Sequence, residues 1–161
     1  MMRKSAYPAK RRFVMSVNQE SDIQAIRALI ARQFASISWK TDAAPDWRMF
    51  KSDFLPHAAL YASARPTRAQ SLEAFVERMN GLVGTTLRSF NEVVLGSEVC
   101  VFGNAAVAVI ACENTENGTE VNRNVEMMLL IKDEGLWKIA AQAWDKESET
   151  TPIPTELLGH I

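Results

Sequence analysis

Histidine and cysteine are scarce in this chain, with two of each in 161 residues. His57 and His160 lie too far apart, and the carboxylates too scattered, for any metal-ligand spacing, so the sequence offers no metal site. Cys100 and Cys112 fall in strand-like stretches and read as two buried, reduced thiols of a cytoplasmic protein. No apolar run approaches the roughly 18 residues that a membrane span needs. A glycine-rich phosphate loop is also missing. The formal net charge is −1, which removes any global electrostatic drive toward nucleic acid or an anionic membrane. Neither is expected as a partner, and no cofactor is implied.

What is present is ordinary globular material. Hydrophobic residues make up 47% and charged residues 23%, and the length suits one domain with one core. The first residues carry Arg3, Lys4, Lys10, Arg11 and Arg12 without the apolar stretch of a secretory signal. Residues 1–19 are therefore expected to form a disordered basic tail, with Met15 as an alternative start. A folded domain is expected over 20–147, and a loosely held tail over 148–161.

Helical patterning dominates the first half. Ser21 and Gln24 fit a capping box, and Ile23, Ile26, Ile30, Phe34 and Ile37 recur at helical spacing, predicting a helix over 22–39. Asp46 can cap a short helix carrying Trp47, Phe50 and Phe54, which Pro56 stops. A short strand over 58–62 and a third helix over 67–80, ended by Gly81, follow.

Strands fill the second half. Gly103-Asn104 is a two-residue turn, Asn117-Gly118 another, and Asp133-Glu134-Gly135 a three-residue turn. Gly96 marks a candidate bulge. These turn lengths place Ile131 opposite Trp137, Arg123 opposite Asp145 and Cys112 opposite Arg123. With Trp137 and Ile139 facing the helices, the inner face then carries Arg123, Val125, Met127, Leu129 and Ile131. A one-residue slip instead turns Asn124, Glu126, Gln142 and Trp144 inward. Both faces of the 125–131 strand are apolar, which predicts a covered outer face and a homodimer through the sheet.

The capped first helix, the stretch Asp46-Trp47-Arg48-Met49-Phe50-Lys51-Ser52-Asp53-Phe54-Leu55-Pro56-His57-Ala58, the hairpin Phe102-Gly103-Asn104-Ala105 and the strand Gly135-Leu136-Trp137-Lys138-Ile139 stand in a characteristic order. In this the chain resembles the SnoaL-like branch of the nuclear-transport-factor-2-like (NTF2-like) superfamily over roughly residues 20–147. The resemblance implies an α+β fold: a cone-shaped, curved antiparallel sheet wrapped around three N-terminal helices, related to the cystatin-like roll. It also implies a largely apolar pocket for a small apolar or aromatic ligand. The implied function is a cyclase, isomerase or dehydratase working by cofactor-free proton transfer, or a non-catalytic dimeric binding or assembly domain. Fold alone does not choose between them. The family's isomerases place a tyrosine near Phe34 and an aspartate near Ala62, and neither residue here carries that chemistry.

Candidate catalytic residues are Asp145 with Arg123, His57, and, under the slipped register, Glu126 or Glu113. An arginine beside Asp145 would hold it ionised, whereas a glutamate in an apolar cone would have a raised pKa and serve as a base near neutral pH. Candidate ligand contacts are Tyr61, Met127, Phe34 and an aromatic wall of Trp39, Trp47 and Trp144, although the tryptophans could equally be core or dimer contacts.

Overall fold

The computed structural model describes residues 17–159. Of the predicted tail (1–19), residues 1–16, with the alternative start at Met15, lie outside the described residues, as does His160, while residues 17–19 belong to the first helix. The first helix, α1 (Val17–Ile37), begins before the predicted cap. Ser21 is therefore interior, and the Gln24 amide donates to Glu20 Oε1 at 3.0 Å instead of reaching back to a cap. The apolar stripe behaves as its spacing predicts: Ile23, Ile26, Ile30, Phe34 and Ile37 are all buried. Asp46 caps α2 (Trp47–Ser52) by accepting from the Met49 N–H at 2.9 Å.

Pro56 does not stop the helix, which ends at Ser52, before Phe54. It lies inside β1 (Phe54–Tyr61), where the pairing shifts between Phe54 and Ala59, so its missing N–H is tolerated. The predicted first turn of the third helix is instead a short strand, β2 (Ala69–Ser71). Ser71 then caps α3 (Leu72–Leu82), which buries Leu72, Phe75 and Met79. Four long strands follow: β3 (Phe90–Phe102), β4 (Ala105–Glu116), β5 (Glu120–Asp133) and β6 (Leu136–Lys146). The curved, unclosed sheet has the order β2-β1-β6-β5-β4-β3, with α1 against β3 and β6 and α3 against β1 and β2. It is mixed rather than wholly antiparallel, because β1 runs parallel to β6.

The register differs from the predicted one because both turns were misjudged by one residue. Glu116 pairs with Glu120, so the first turn has three residues, and Cys112 meets Asn124 rather than Arg123. Asp133 pairs with Leu136, leaving the two-residue turn Glu134-Gly135, with both residues at positive φ. Trp137 thus meets Lys132, and Asp145 meets Val125. A one-residue change inverts the faces of β5. Asn124, Glu126, Met128 and Leu130 point inward and are buried, whereas Met127 and Leu129 are exposed on the outer face. On β6, Trp137 and Ile139 face inward as predicted, and so do Gln142 and Trp144, because a bulge at Ala140 shifts the phase between them. Gly96 adjoins a corresponding bulge in β3.

Two ties fix the helical layer. Asp53, almost fully buried, accepts from Arg32 Nε at 3.0 Å and again from Arg32 Nη2. The Trp137 indole donates to Asp22 at 3.0 Å, joining α1 to β6. Among the described residues, no helix is long and apolar enough to cross a membrane.

Residues 148–159 are not loosely held. Ile153 and Leu157 are buried on the outer face with Ala111, beside Leu95, Val109 and Val125. The Gly159 N–H donates to Leu95 O at 3.0 Å. Gly96 permits this approach, since a Cβ there would stand 1.9 Å from the Leu157 carbonyl oxygen. Gly96→Ala is accordingly expected to destabilise the fold by about 1–3 kcal/mol and to release the C-terminal segment. Denaturant titration and limited proteolysis would measure this, and an unchanged midpoint with unchanged protection would contradict it.

Candidate functional site

A cavity of about 330 Å³ lies between the helical layer and the inner face of the sheet. Its helical side is mainly apolar, formed by Ile37, Phe75, Met79 and Leu82 with Leu87 of the following loop, and it carries Arg78 of α3. Phe90 and Trp144 continue that surface, and Trp144 meets Phe75 edge-on at 6.0 Å. The sheet side is polar. Strand alternation brings Glu92 from β3, Asn114 from β4, Asn124 and Glu126 from β5, and Gln142 from β6 onto one wall. Gln33 reaches the cavity from α1.

Glu92 and Glu126 are the chemical centre of this wall. They are 8% and 5% exposed, and their carboxyls bond to each other. The Cys112 thiol completes a cluster whose ligand-type atoms lie within 4.8 Å of one another. Gln142 Nε2 donates to Glu126 Oε2, and Asn114 bonds to Glu92. The Glu92 backbone is fixed in turn, its N–H donating to Ser38 Oγ at 3.0 Å.

Burial disfavours the charged form of both acids. It pushes Glu92 up to about 7, against the opposing bonds from Glu126, Cys112 and Asn114. Burial and the neighbouring Glu92 charge hold Glu126 well above the carboxylate range. The Cys112 thiol is likewise driven up, by burial and then by the two acids. Two carboxyls in such contact share a proton and titrate as a pair. At neutral pH the pair can accept a proton at one oxygen and offer one from another.

Most of the other predicted site residues fall elsewhere. Asp145 lies on the outer face, 3.5 Å from Arg65, with both side chains exposed. Arg123 pairs instead with Glu113, at 2.9 Å. His57 is exposed on β1. Tyr61 and Met127 border an outer-face groove, and Phe34 is sealed in the core. Trp39 is buried against Phe90, at 5.4 Å, behind the cavity wall. Trp47 packs on Phe50 and donates to Asn80 at 3.0 Å. Glu126 and Trp144 do line the cavity, as the slipped register predicts.

Sequence reasoning missed Glu92, Gln33 and Asn114. Glu92 carried one signal, a lone acid in the phase of Phe90 and Val94 on an otherwise apolar strand face. The Glu92–Cys112–Glu126 group comes from three strands, so sequence spacing could not display it. Both acids and the thiol are metal-ligand types. Cys100 is exposed, contrary to the expectation of two buried thiols, and both cysteines are free.

Carboxyls whose pKa is higher folded than unfolded keep protons that the unfolded chain releases. Their stabilising contribution is full below the unfolded value of about 4.5 and is lost as pH rises toward about 7. Thermal stability should therefore fall between about pH 5 and pH 8, by on the order of 3 kcal/mol from Glu92. The combined substitution Glu92→Gln and Glu126→Gln should flatten that slope in calorimetric scans. An identical slope in the variant would show that the pair ionises without constraint.

Neither a protein-family model nor a curated protein matches the sequence. Solved structures do match. The hexachlorocyclohexane dehydrochlorinase LinA-type3 from Novosphingobium barchaimii superposes with a TM-score of 0.67 at 12% identity, covering 82% of this chain and 90% of that one. A protein from Novosphingobium aromaticivorans, proposed to be a scytalone dehydratase, gives 0.66 at 11% identity, covering 83% and 89%. An NTF2-like protein of unknown function from Pseudomonas putida gives 0.64 at 16% identity, covering 85% and 94%. At these identities the likeness establishes the fold, which is NTF2-like.

Proposed function

We propose that the protein binds a small, largely apolar molecule in the cavity and moves a proton on it with the Glu92–Glu126 pair. The observation that carries this reading is the bonded pair of buried carboxyls on the polar sheet wall of a cavity whose helical side is mainly apolar. A base that ionises near 7 is poised at working pH. With one acid ionised and its neighbour protonated, the site can remove a C–H proton and deliver another to a departing or developing oxygen. Those steps suit a cofactor-free lyase, isomerase or cyclase. Two proteins of the same fold bear names that denote elimination, which supports the reading by analogy only. The free thiols fit a reducing cytoplasm.

A general probe of buried carboxylate bases is 5-nitrobenzisoxazole, a flat molecule whose ring opens when its C–H proton is removed. The protein should accelerate that opening, with a rate rising through about pH 7 as Glu92 ionises. Replacing both acids with glutamine should reduce the rate by about 10²-fold or more. Equal acceleration by wild type and variant would rule the pair out as the base.

The outer face favours an assembly role beside this one. Val107, Leu129 and Ala141 form one cross-strand row, and Val109, Met127 and Ala143 the next. Val107, Leu129 and Met127 are 49%, 44% and 57% exposed, an apolar patch unusual on a monomer. We take a second copy of the chain as its cover. Sedimentation should show a dimer that Met127→Lys with Leu129→Lys converts to monomer, whereas a wild-type monomer at micromolar concentration would exclude this.

A further inference from the structure

The opening of the cavity is cationic. Of the residues that line it, three are exposed, and these mark where a guest enters: Arg78 of α3, Thr86, and Lys146 of β6. Arg78 follows Phe75 by three residues, so both lie on one face of α3. Its guanidinium stands over the Phe75 ring, 5.3 Å from the centroid, and its Nε donates to Gln70 Oε1 at 3.4 Å. Burial pulls that guanidinium below its ordinary pKa, as expected of a charge partly withdrawn from water.

Lys146 reaches the opening through the sheet register. Glu126 pairs with Trp144, and the next row on the same face is Cys112, Asn124 and Lys146. Lys146 thus starts two residues, roughly 7 Å, beyond the row of Glu126. As the last residue of β6 it stands at the sheet rim and borders the outer grooves as well. Neither Arg78 nor Lys146 forms an ion pair among the described residues. Apart from the Glu92–Glu126 pair, the lining carries one carboxylate, the half-buried Glu116. It lies four residues along β4 from Cys112, roughly 13 Å, on a strand two places from β6. Two cations against one carboxylate leave a single net positive charge above an aromatic surface of Phe75, Phe90 and Trp144.

From this geometry we infer that the cavity takes a flat, apolar monocarboxylic acid, its carboxylate held at the opening by Arg78 with Lys146 and its ring against Phe75, Phe90 and Trp144. The paired N–H donors of a guanidinium match the two oxygens of a carboxylate. A single net positive charge suits a monoanion better than a phosphate dianion. Anchored in this way, the ring points inward, toward the row that carries Glu126. The inference rests on the proposal that the cavity is a ligand site, and it names the class of molecule that site takes. Proton transfer by the carboxyl pair is not required for it.

The probes 2-naphthoate and 2-naphthamide test it, because they share a ring and differ in charge. Titration calorimetry on the full chain should show 2-naphthoate binding at least about tenfold more tightly, since a hydrogen bond between charged groups is worth roughly that factor or more. Added salt should shrink the ratio. Arg78→Gln and Lys146→Gln, both at exposed positions, should each narrow it by about threefold or more, through loss of 2-naphthoate affinity. Lys51→Gln removes an equal charge from α2, outside the cavity lining, and should leave the ratio in place. Equal binding of the two probes would overturn the inference. So would a ratio unchanged in either cavity variant, one narrowed equally by Lys51→Gln, or failure of 2-naphthoate to bind at millimolar concentration. Tighter binding of 2-naphthyl phosphate than of 2-naphthoate would overturn the assignment to a monocarboxylate. Acceleration of 5-nitrobenzisoxazole, which is uncharged, reports on the carboxyl pair alone. Acceleration without a carboxylate preference would remove this inference and leave the proton-transfer reading standing. A carboxylate preference without acceleration would do the reverse.

Discussion

Two bulges hold the sheet in the register on which the cavity depends. Strand side chains alternate strictly, so an uninterrupted β6 with Trp137 and Ile139 inward would turn Gln142 and Trp144 outward. The unpaired Ala140 adds one residue between the halves and lets both face the helices. The first half then fills the core under α1, and the second half builds the cavity. The bulge beside Gly96 does the same for β3, turning Glu92 and Val94 inward on one side and Ser97, Val99 and Val101 on the other. Without these insertions the polar wall could not assemble across four strands.

That wall opposes the stability of the fold that carries it. Two carboxyls more than nine-tenths buried would resist ionisation even alone, and together they cannot both ionise without strong repulsion. The protein offsets this with neutral amides rather than cations. Gln142 and Asn114 each supply one N–H to the pair. An arginine in either place would have held both acids ionised and removed the poised proton. The contrast with Asp53 is instructive, since that buried acid is paired with Arg32 and serves to tie α1 to the start of β1. One buried acid is neutralised for structure, while two others are left to share a proton at the cavity.

Much of the fold was legible in the sequence because periodicity survives small errors in boundaries. The α1 stripe from Ile23 to Ile37 needs only its spacing, and the Asp46 cap only its chemistry. Register has no such tolerance. Asn117-Gly118 reads as a two-residue turn, yet Thr119 joins it, and Asn117 is drawn away to bond the 86–88 segment through Arg88 N and Thr86 O. Asp133-Glu134-Gly135 reads as three residues, yet Glu134 adopts a positive φ of 47° beside Gly135 and closes the hairpin in two. Glycine content could not distinguish these lengths, since each turn contains one. A single residue of turn length moved Arg123 to the inner face on paper, the unforeseen Ala140 bulge did the same for Asp145, and Glu126 was left as the alternative.

The two-sided apolar character of β5 now has a divided explanation. Inward, Met128 and Leu130 are core. Outward, Val125 lies under the C-terminal segment with Ile153 and Leu157, so the chain covers part of its own sheet. Met127 and Leu129 stay exposed beyond that cover. The covered and uncovered rows adjoin, since Val109 packs on the segment and also pairs with Met127. A partner seated on Met127 and Leu129 would therefore abut the docked segment, whose position depends on Gly96. Gly96 in turn adjoins the bulge that sets the phase of Glu92. The proposed outer-face assembly and the proposed inner-face chemistry thus meet at one point of β3, where a side chain on residue 96 would disturb both.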